Sequence, residues 1–180
     1  RAHGAEVPFI RPDNLADDEQ PMIPVMQHAL DWCRDEENME VEGLLLLQPT
    51  SPLRTSRHID EAINVFRATN AETTVSVMPV GHIFHPAVVQ RQDGNFLSDV
   101  FDSSTVKHLL SQDELYVRNG PAILINRPSV LDRGEKFGDT VASYVMEQED
   151  SVDIDSPSDL QFADYLLQRR YQETESDQAP

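Results

Sequence analysis

The run Leu44-Leu45-Leu46-Leu47, stopped at once by Gln48-Pro49, constrains this chain more than any other feature. Four consecutive leucines carry no apolar/polar alternation, so a strand built from them must be covered on both faces, as the strands of parallel sheets are. Thr55 or Ser56 can cap the helix that follows, in which Ile59, Ala62, Ile63 and Phe66 fall at i, i+3, i+4 and i+7. Asp60 and Glu61 fall in its first turn, where the helix dipole favours them. Residues 73–78 then read as a strand, rich in β-branched residues and with Val75 and Val77 on one side. Strand, helix and strand in this order predict a parallel α/β layer.

The flanking segments extend this pattern. Val25, Met26, Ala29, Leu30 and Cys33 recur at helical spacing after Pro21, which predicts a helix with one buried face and makes Cys33 a packing residue. Gly4 followed by Ala-Glu-Val-Pro-Phe reads as a helix-ending glycine and a short buried strand, with further chain expected upstream of Arg1. Between residues 79 and 120 the helical period is lost and Asp93-Gly94-Asn95 marks a hairpin turn. This stretch is an excursion from the main sheet, either a dimerisation arm or a solvent-exposed hairpin. Residues 122–125 and 141–146 read as returning strands. A last helix opens at Ser156, with Pro157 at its first position and Asp159 completing a capping box. Leu160, Ala163, Leu166 and Leu167 are expected on its buried side, and the polar residues after Tyr171 are expected to fray.

At 180 residues, one domain over 1–180 is the natural reading. No apolar run reaches the roughly 18 residues of a membrane span and no leader-like segment is present, so a cytoplasmic protein without membrane contact is expected. With 32 acidic residues against 14 basic ones, the net charge is -18. Such a field repels polyanions, which argues against nucleic acid as a partner. Lys107 and Lys136 are the only lysines. Adaptation to a saline setting and an ordinary acidic surface both fit this composition.

Three segments carry candidate chemistry. Gln48-Pro49-Thr50-Ser51-Pro52-Leu53-Arg54 follows the leucine strand, at the end where open α/β sheets bind ligands. Its prolines hold an extended course that can present the Gln48 amide, the Thr50 and Ser51 hydroxyls and the Arg54 guanidinium to a polyhydroxylated anion. A strand-to-helix turn that merely satisfies its own backbone is equally compatible. Asp153-Ile154-Asp155, if extended, sends both carboxylates to one side, a pair that a magnesium ion bound with phosphate oxygens would suit. A turn aspartate satisfied by the chain is the plainer alternative. Arg118-Asn119-Gly120-Pro121 precedes a returning strand and can bring an arginine to an anionic substrate. His82 and His85 lie in a proline-rich, non-helical stretch far from Cys33, so zinc is not expected.

Three segments taken together resemble the acylneuraminate cytidylyltransferases, the CMP-sialic acid synthetases and their legionaminate-type relatives. They are GAEVPFIRP from Gly4 to Pro12, LLLLQPTSPLRTSRHIDEAI from Leu44 to Ile63, and SVDIDSPSDLQFADYLL from Ser151 to Leu167. The resemblance implies a Rossmann-like nucleotide-diphospho-sugar transferase fold, a mostly parallel sheet flanked by helices, working as a homodimer through residues 79–120. It implies transfer of CMP from CTP to an acidic nine-carbon sugar, with loss of pyrophosphate and with Mg2+ or Mn2+ as cofactor. Carried over by position, Arg11 contacts the nucleotide, and Gln48, Pro49, Thr50 and Ser51 border nucleotide and sugar. Arg54, Arg118 and Asn119 serve the sugar, and Asp153 and Asp155 hold the metal as the catalytic pair.

Some features depart from the family pattern. Its glycine-rich phosphate loop has no counterpart in this sequence, Met22 replaces a hydroxyl residue, residues 78–90 contain no lysine, and Pro121 interrupts the usual Asn-Gly-Ala run. A non-catalytic sugar-nucleotide-fold module and a 3-deoxy-octulosonate activator are the alternatives, although the latter is expected to lack the Gln-Pro-Thr-Ser-Pro-Leu-Arg string.

Overall fold

The structure, a computed structural model, describes residues 2–17, 20–111 and 114–177. The chain enters through a turn and an extended stretch, not the buried strand expected over residues 4–9. Val7 is 42% exposed, and anchoring comes from Phe9, whose ring lies 5.3 Å from Trp32 and edge-on to His28 at 5.1 Å. Gly4 does take a positive φ of 83°, the conformation of a helix-ending glycine. Helix α1 (Met22–Asp35) buries Met26 and Leu30, whereas Cys33, expected to pack inside, is only half-buried. Strand β1 (Leu44–Leu46) leads through the proline loop to α2 (Ser56–Thr69) and β2 (Thr73–Pro79). The excursion holds β3 (Gln90–Asp93), β4 (Phe96–Asp99) and α3 (Ser103–Leu110). The chain returns through β5 (Tyr116–Arg118), β6 (Leu124–Asn126), α4 (Pro128–Asp132) and β7 (Val141–Val145), and closes with α5 (Pro157–Asp177).

The main sheet corrects the expectation of mostly parallel pairing. β6 lies between β1 and β2 and runs antiparallel to both, β5 is antiparallel to β2, and only β2 and β7 pair in parallel. β1 and β2 therefore still point the same way, as a strand-helix-strand unit requires, but with a reversed strand inserted between them. An apolar run records coverage and not direction, so the leucines could not reveal the reversal. β1 itself is only half-buried, because among the described residues it is an edge strand paired with β6 alone. The strands covered on both faces are β6 and most of β2.

Side chains alternate across β6 and divide the core into two layers. Ile123 and Ile125 pack with Ala62 and Phe66 of α2 and with Tyr144 and Met146, while Leu124 packs with Met26 and Leu30 of α1 and Leu131 of α4. Full burial of leucines such as Leu30, Leu124 and Leu131 stabilises the fold by roughly 1.5–3 kcal/mol each. Helices thus cover both sheet faces, as expected for a Rossmann-like layer.

Several local expectations shift. α2 starts at Ser56 with Thr55 as its cap, and the N3 partner in the capping box is His58, so Asp60 and Glu61 lie beyond the first turn. On α5, Ala163 and Leu166 are buried but Leu160 is 56% exposed. The helix runs on past Tyr171 to Asp177 in place of fraying there, and residues 178–180 lie outside the described residues. The hairpin turn stands where expected, with Asp93 paired to Phe96 across Gly94 and Asn95. Helix α3 escaped the sequence reading, although Asp102 caps it through the backbone N–H groups of Ser104 and Thr105.

Candidate active site

The proline loop leaves β1 and is tied down on its inner side. Arg54 donates through Nη1 to the carbonyls of Gln48, at 3.0 Å, and Ala122, at 2.7 Å, and burial lowers the pKa of its guanidinium. Arg54 therefore stitches the loop to the start of β6. Ser51 is 2% exposed and its hydroxyl has no protein partner, while Pro49 is exposed and Gln48 and Thr50 are half-buried. A buried hydroxyl left unsatisfied is unfavourable by itself, which marks Ser51 as a polar group that the protein alone does not satisfy.

Between β5 and β6 the pairing slips. Val77 faces Arg118 and Val75 faces Leu124, so two residues along β2 match six along the returning chain and four extra residues bulge out. Asn119 stands at the root of this bulge. It accepts from Ser76 Oγ at 2.6 Å and donates to Ser151 Oγ at 2.9 Å, and it is 3% exposed. Asn119 thus ties β2 to the segment that leads to Asp153. Gly120 follows at φ 115°, and a Cβ there would sit 2.9 Å from Asp153 Oδ2. Only glycine allows the bulge to lie this close to the Asp153 carboxylate.

Asp153 and Asp155 lie in irregular chain and not in a strand. The Ile154 N–H between them donates to the Thr50 carbonyl at 2.9 Å, which joins the acidic segment directly to the proline loop. Asp153 Oδ1 is buried and has no protein partner. Asp155 is exposed, with its backbone N–H donating to Asp159 Oδ2 at the start of α5. No cluster of three or more His, Cys, Asp and Glu side chains able to hold a metal occurs among the described residues. The donor set nevertheless fits a hard divalent cation that takes its other ligands from substrate phosphates, because one carboxylate oxygen is buried and unused and a second carboxylate is open to solvent.

Arg118 and Lys136 flank the ring of Phe137, at 4.8 Å and 5.7 Å from its centroid. With Val117, Gly120 and Pro121 they line a recess of about 450 Å3. Lys136 and Phe137 were not picked out from the sequence, yet the turn that bears them is well anchored. Buried Asn126 donates to the Lys136 carbonyl at 3.1 Å and accepts from Thr73 Oγ1 at 2.7 Å, and Gly138 N–H donates to Thr73 at 2.9 Å. The available signal was that Lys136 is one of two lysines in so acidic a chain. Arg11 lies on the exposed entry segment and takes part in none of the contacts that join the loop, the bulge and the acidic segment.

A sheet with a reversed strand inserted between two co-directional ones, helices on both faces and a proline-bracketed loop at a strand end make up this α/β fold. The solved structure of CMP:2-keto-3-deoxy-manno-octonic acid synthetase complexed with CTP shares it, with a TM-score of 0.54 at 12% identity, over 85% of this chain and 70% of that one. Among curated proteins, the chain is similar to the N-acylneuraminate cytidylyltransferase of Escherichia coli, 29% identical over 94% of this chain and 39% of that protein. It is similar also to the post-translational flagellin modification protein B of Campylobacter coli, 24% identical over 93% of this chain and 71% of that protein. The CMP-N,N'-diacetyllegionaminic acid synthase of Legionella pneumophila is 25% identical, over 92% of this chain and 71% of that protein. The chain thus spans well under half the length of the first of these relatives. No protein-family model matches. The resemblance to the acylneuraminate cytidylyltransferases read from the three motifs is borne out by relatives of that name and by the legionaminate synthases, matched over most of the chain.

Proposed function

We propose that the protein containing this chain is a cytidylyltransferase that joins CMP from CTP to an acidic nonulosonic sugar of the N-acetylneuraminate or legionaminate type. The reading is carried by one contact, the Ile154 N–H on the Thr50 carbonyl, which brings the two most specific motifs together around a buried carboxylate oxygen with no protein partner. In this reaction the sugar hydroxyl attacks the α-phosphorus, a new P–O bond forms, and pyrophosphate leaves with the electron pair of the broken bond. Mg2+ or Mn2+, held by Asp153 and Asp155, would neutralise charge on the phosphate oxygens. The chain's own residues position the reactants: the Ser51 hydroxyl and the Gln48 amide border the nucleotide, and Arg118 offers its charge to the sugar carboxylate. Arg11 is assigned to the nucleotide by its motif alone.

Homodimer formation through residues 79–120 belongs to the same reading. Phe84, Phe96, Leu97 and Leu110 are 67%, 81%, 64% and 64% exposed on the excursion, an apolar surface that a second copy would cover. No helix among the described residues is long and apolar enough to cross a membrane. The enzyme is assigned by the same proposal to the cytoplasm, on the ground that its nucleotide substrate is CTP.

The test is pyrophosphate release by the full-length protein, supplied with CTP, Mg2+ and N-acetylneuraminate, a legionaminate or 3-deoxy-octulosonate in turn. Turnover is expected with the nine-carbon acids, and Asp153→Asn is expected to lower it by at least about a hundredfold, the scale of losing a main electrostatic stabiliser. Undiminished turnover in that variant removes Asp153 from the mechanism. CTP binding without turnover on any acid favours the non-catalytic module.

A further inference from the structure

Apart from a single 3-10 turn at Gln148–Asp150, the segment that carries Asp153 has no regular structure of its own up to α5. Its position therefore depends on side chains from other elements, and one carboxylate gathers most of them. Asp150 accepts a short hydrogen bond from Arg170 of α5, and its other oxygen lies 3.4 Å from His58 Nε2 of α2. Arg170 also donates to the Leu53 carbonyl at 3.2 Å, inside the proline loop. His58 Nδ1 accepts the Thr55 N–H at 3.2 Å, at the end of that loop. With Nδ1 serving as acceptor, the ring proton is assigned to Nε2, which faces Asp150 at 3.4 Å and the Arg57 guanidinium at 3.3 Å. Arg57, Glu61 and Tyr144 complete the charged and polar surroundings of the imidazole. The same two side chains that grip Asp150 thus also grip the proline loop.

We propose that Asp150, clamped between His58 and Arg170, is a positioning residue that holds the acidic segment in register with the proline loop and so sets where the free Asp153 oxygen stands. This rests on the cytidylyltransferase reading for its functional meaning. Asp150 touches no reactant; it acts through the Ile154 to Thr50 hydrogen bond four residues further on.

The clamp is tested on the full-length protein by amide hydrogen exchange at Ile154 and by Mn2+ binding, followed by electron paramagnetic resonance with CTP present. Asp150→Ala is expected to speed Ile154 exchange and to weaken Mn2+ binding by about tenfold or more, as losses of residues that orient metal ligands do. Asp150→Asn keeps an acceptor for Arg170 and is expected to recover most of the Ile154 protection. If Asp150→Ala folds poorly, Arg170→Lys, which keeps the charge but loses the forked donor, supplies the same comparison. Wild-type protection at Ile154 in the variants overturns the proposal, as does accelerated exchange with unchanged Mn2+ affinity. Failure of the wild-type protein to bind Mn2+ with CTP counts against the cytidylyltransferase reading instead, and leaves the exchange result as a separate measure of the clamp.

Discussion

Asn119 shows how much of this site is framework. Its amide links a strand hydroxyl, Ser76, to a loop hydroxyl, Ser151, in a region closed to water. Asn119→Ala leaves both without that partner and is expected to lower stability by about 1–3 kcal/mol, measured by urea unfolding. His58 makes a different prediction. Burial is the main influence on it and pulls its pKa below the ordinary 6.5, so between that value and its folded pKa the unfolded chain binds a proton that the folded one does not. This contribution is fully present above pH 6.5 and is lost as the pH falls toward the folded pKa. His58→Asn, which keeps an acceptor near the Nδ1 position, is expected to flatten the fall in melting temperature as the pH drops below 6.5. An unchanged slope would show that other groups govern this range.

Among the elements, the turn after α4 is fixed by close approach. A Cβ on Gly138 would lie 2.5 Å from Glu72 Cβ, backed by Val130 at 3.0 Å. Gly138→Ala must push Glu72 away from Arg133 and from the Asp139 N–H, the first two influences that hold its carboxylate below the usual range. The expected loss is about 1–3 kcal/mol of unfolding free energy, the scale of overpacking, with a looser turn at Lys136 and Phe137. At this scale much of the fold was legible. The i, i+3, i+4, i+7 pattern from Ile59 to Phe66 and the box at Ser156 and Asp159 are written in local spacing. α3 was missed because its eight residues carry only one short apolar set, Val106, Leu109 and Leu110, of which none is fully buried. Leu160 was misplaced for a related reason, since periodicity shows which residues share a face but not whether a neighbour covers it.

At the scale of the whole molecule, the excursion carries more than half of the exposed large apolar side chains among the described residues. Phe84→Glu with Phe96→Glu is expected to turn a full-length dimer into a monomer in analytical ultracentrifugation, and an unchanged mass would place the contact elsewhere. Strand direction and the joining of distant segments were not legible in the sequence. The meeting of Thr50 with Ile154 depends on the slip between β5 and β6, a matter of register that no local pattern records. The two aspartates were found by spacing, but their unequal exposure follows from Gly120 and Thr50 crowding one and α5 leaving the other open.

The reversed strand has a consequence for how such a chain is made. As the chain leaves the ribosome, β1 and β2 emerge before the strand that bridges them, because residues 124–126 come only after the whole arm has been synthesised. Until then Ala62 and Phe66 of α2 lack Ile123 and Ile125, against which they pack.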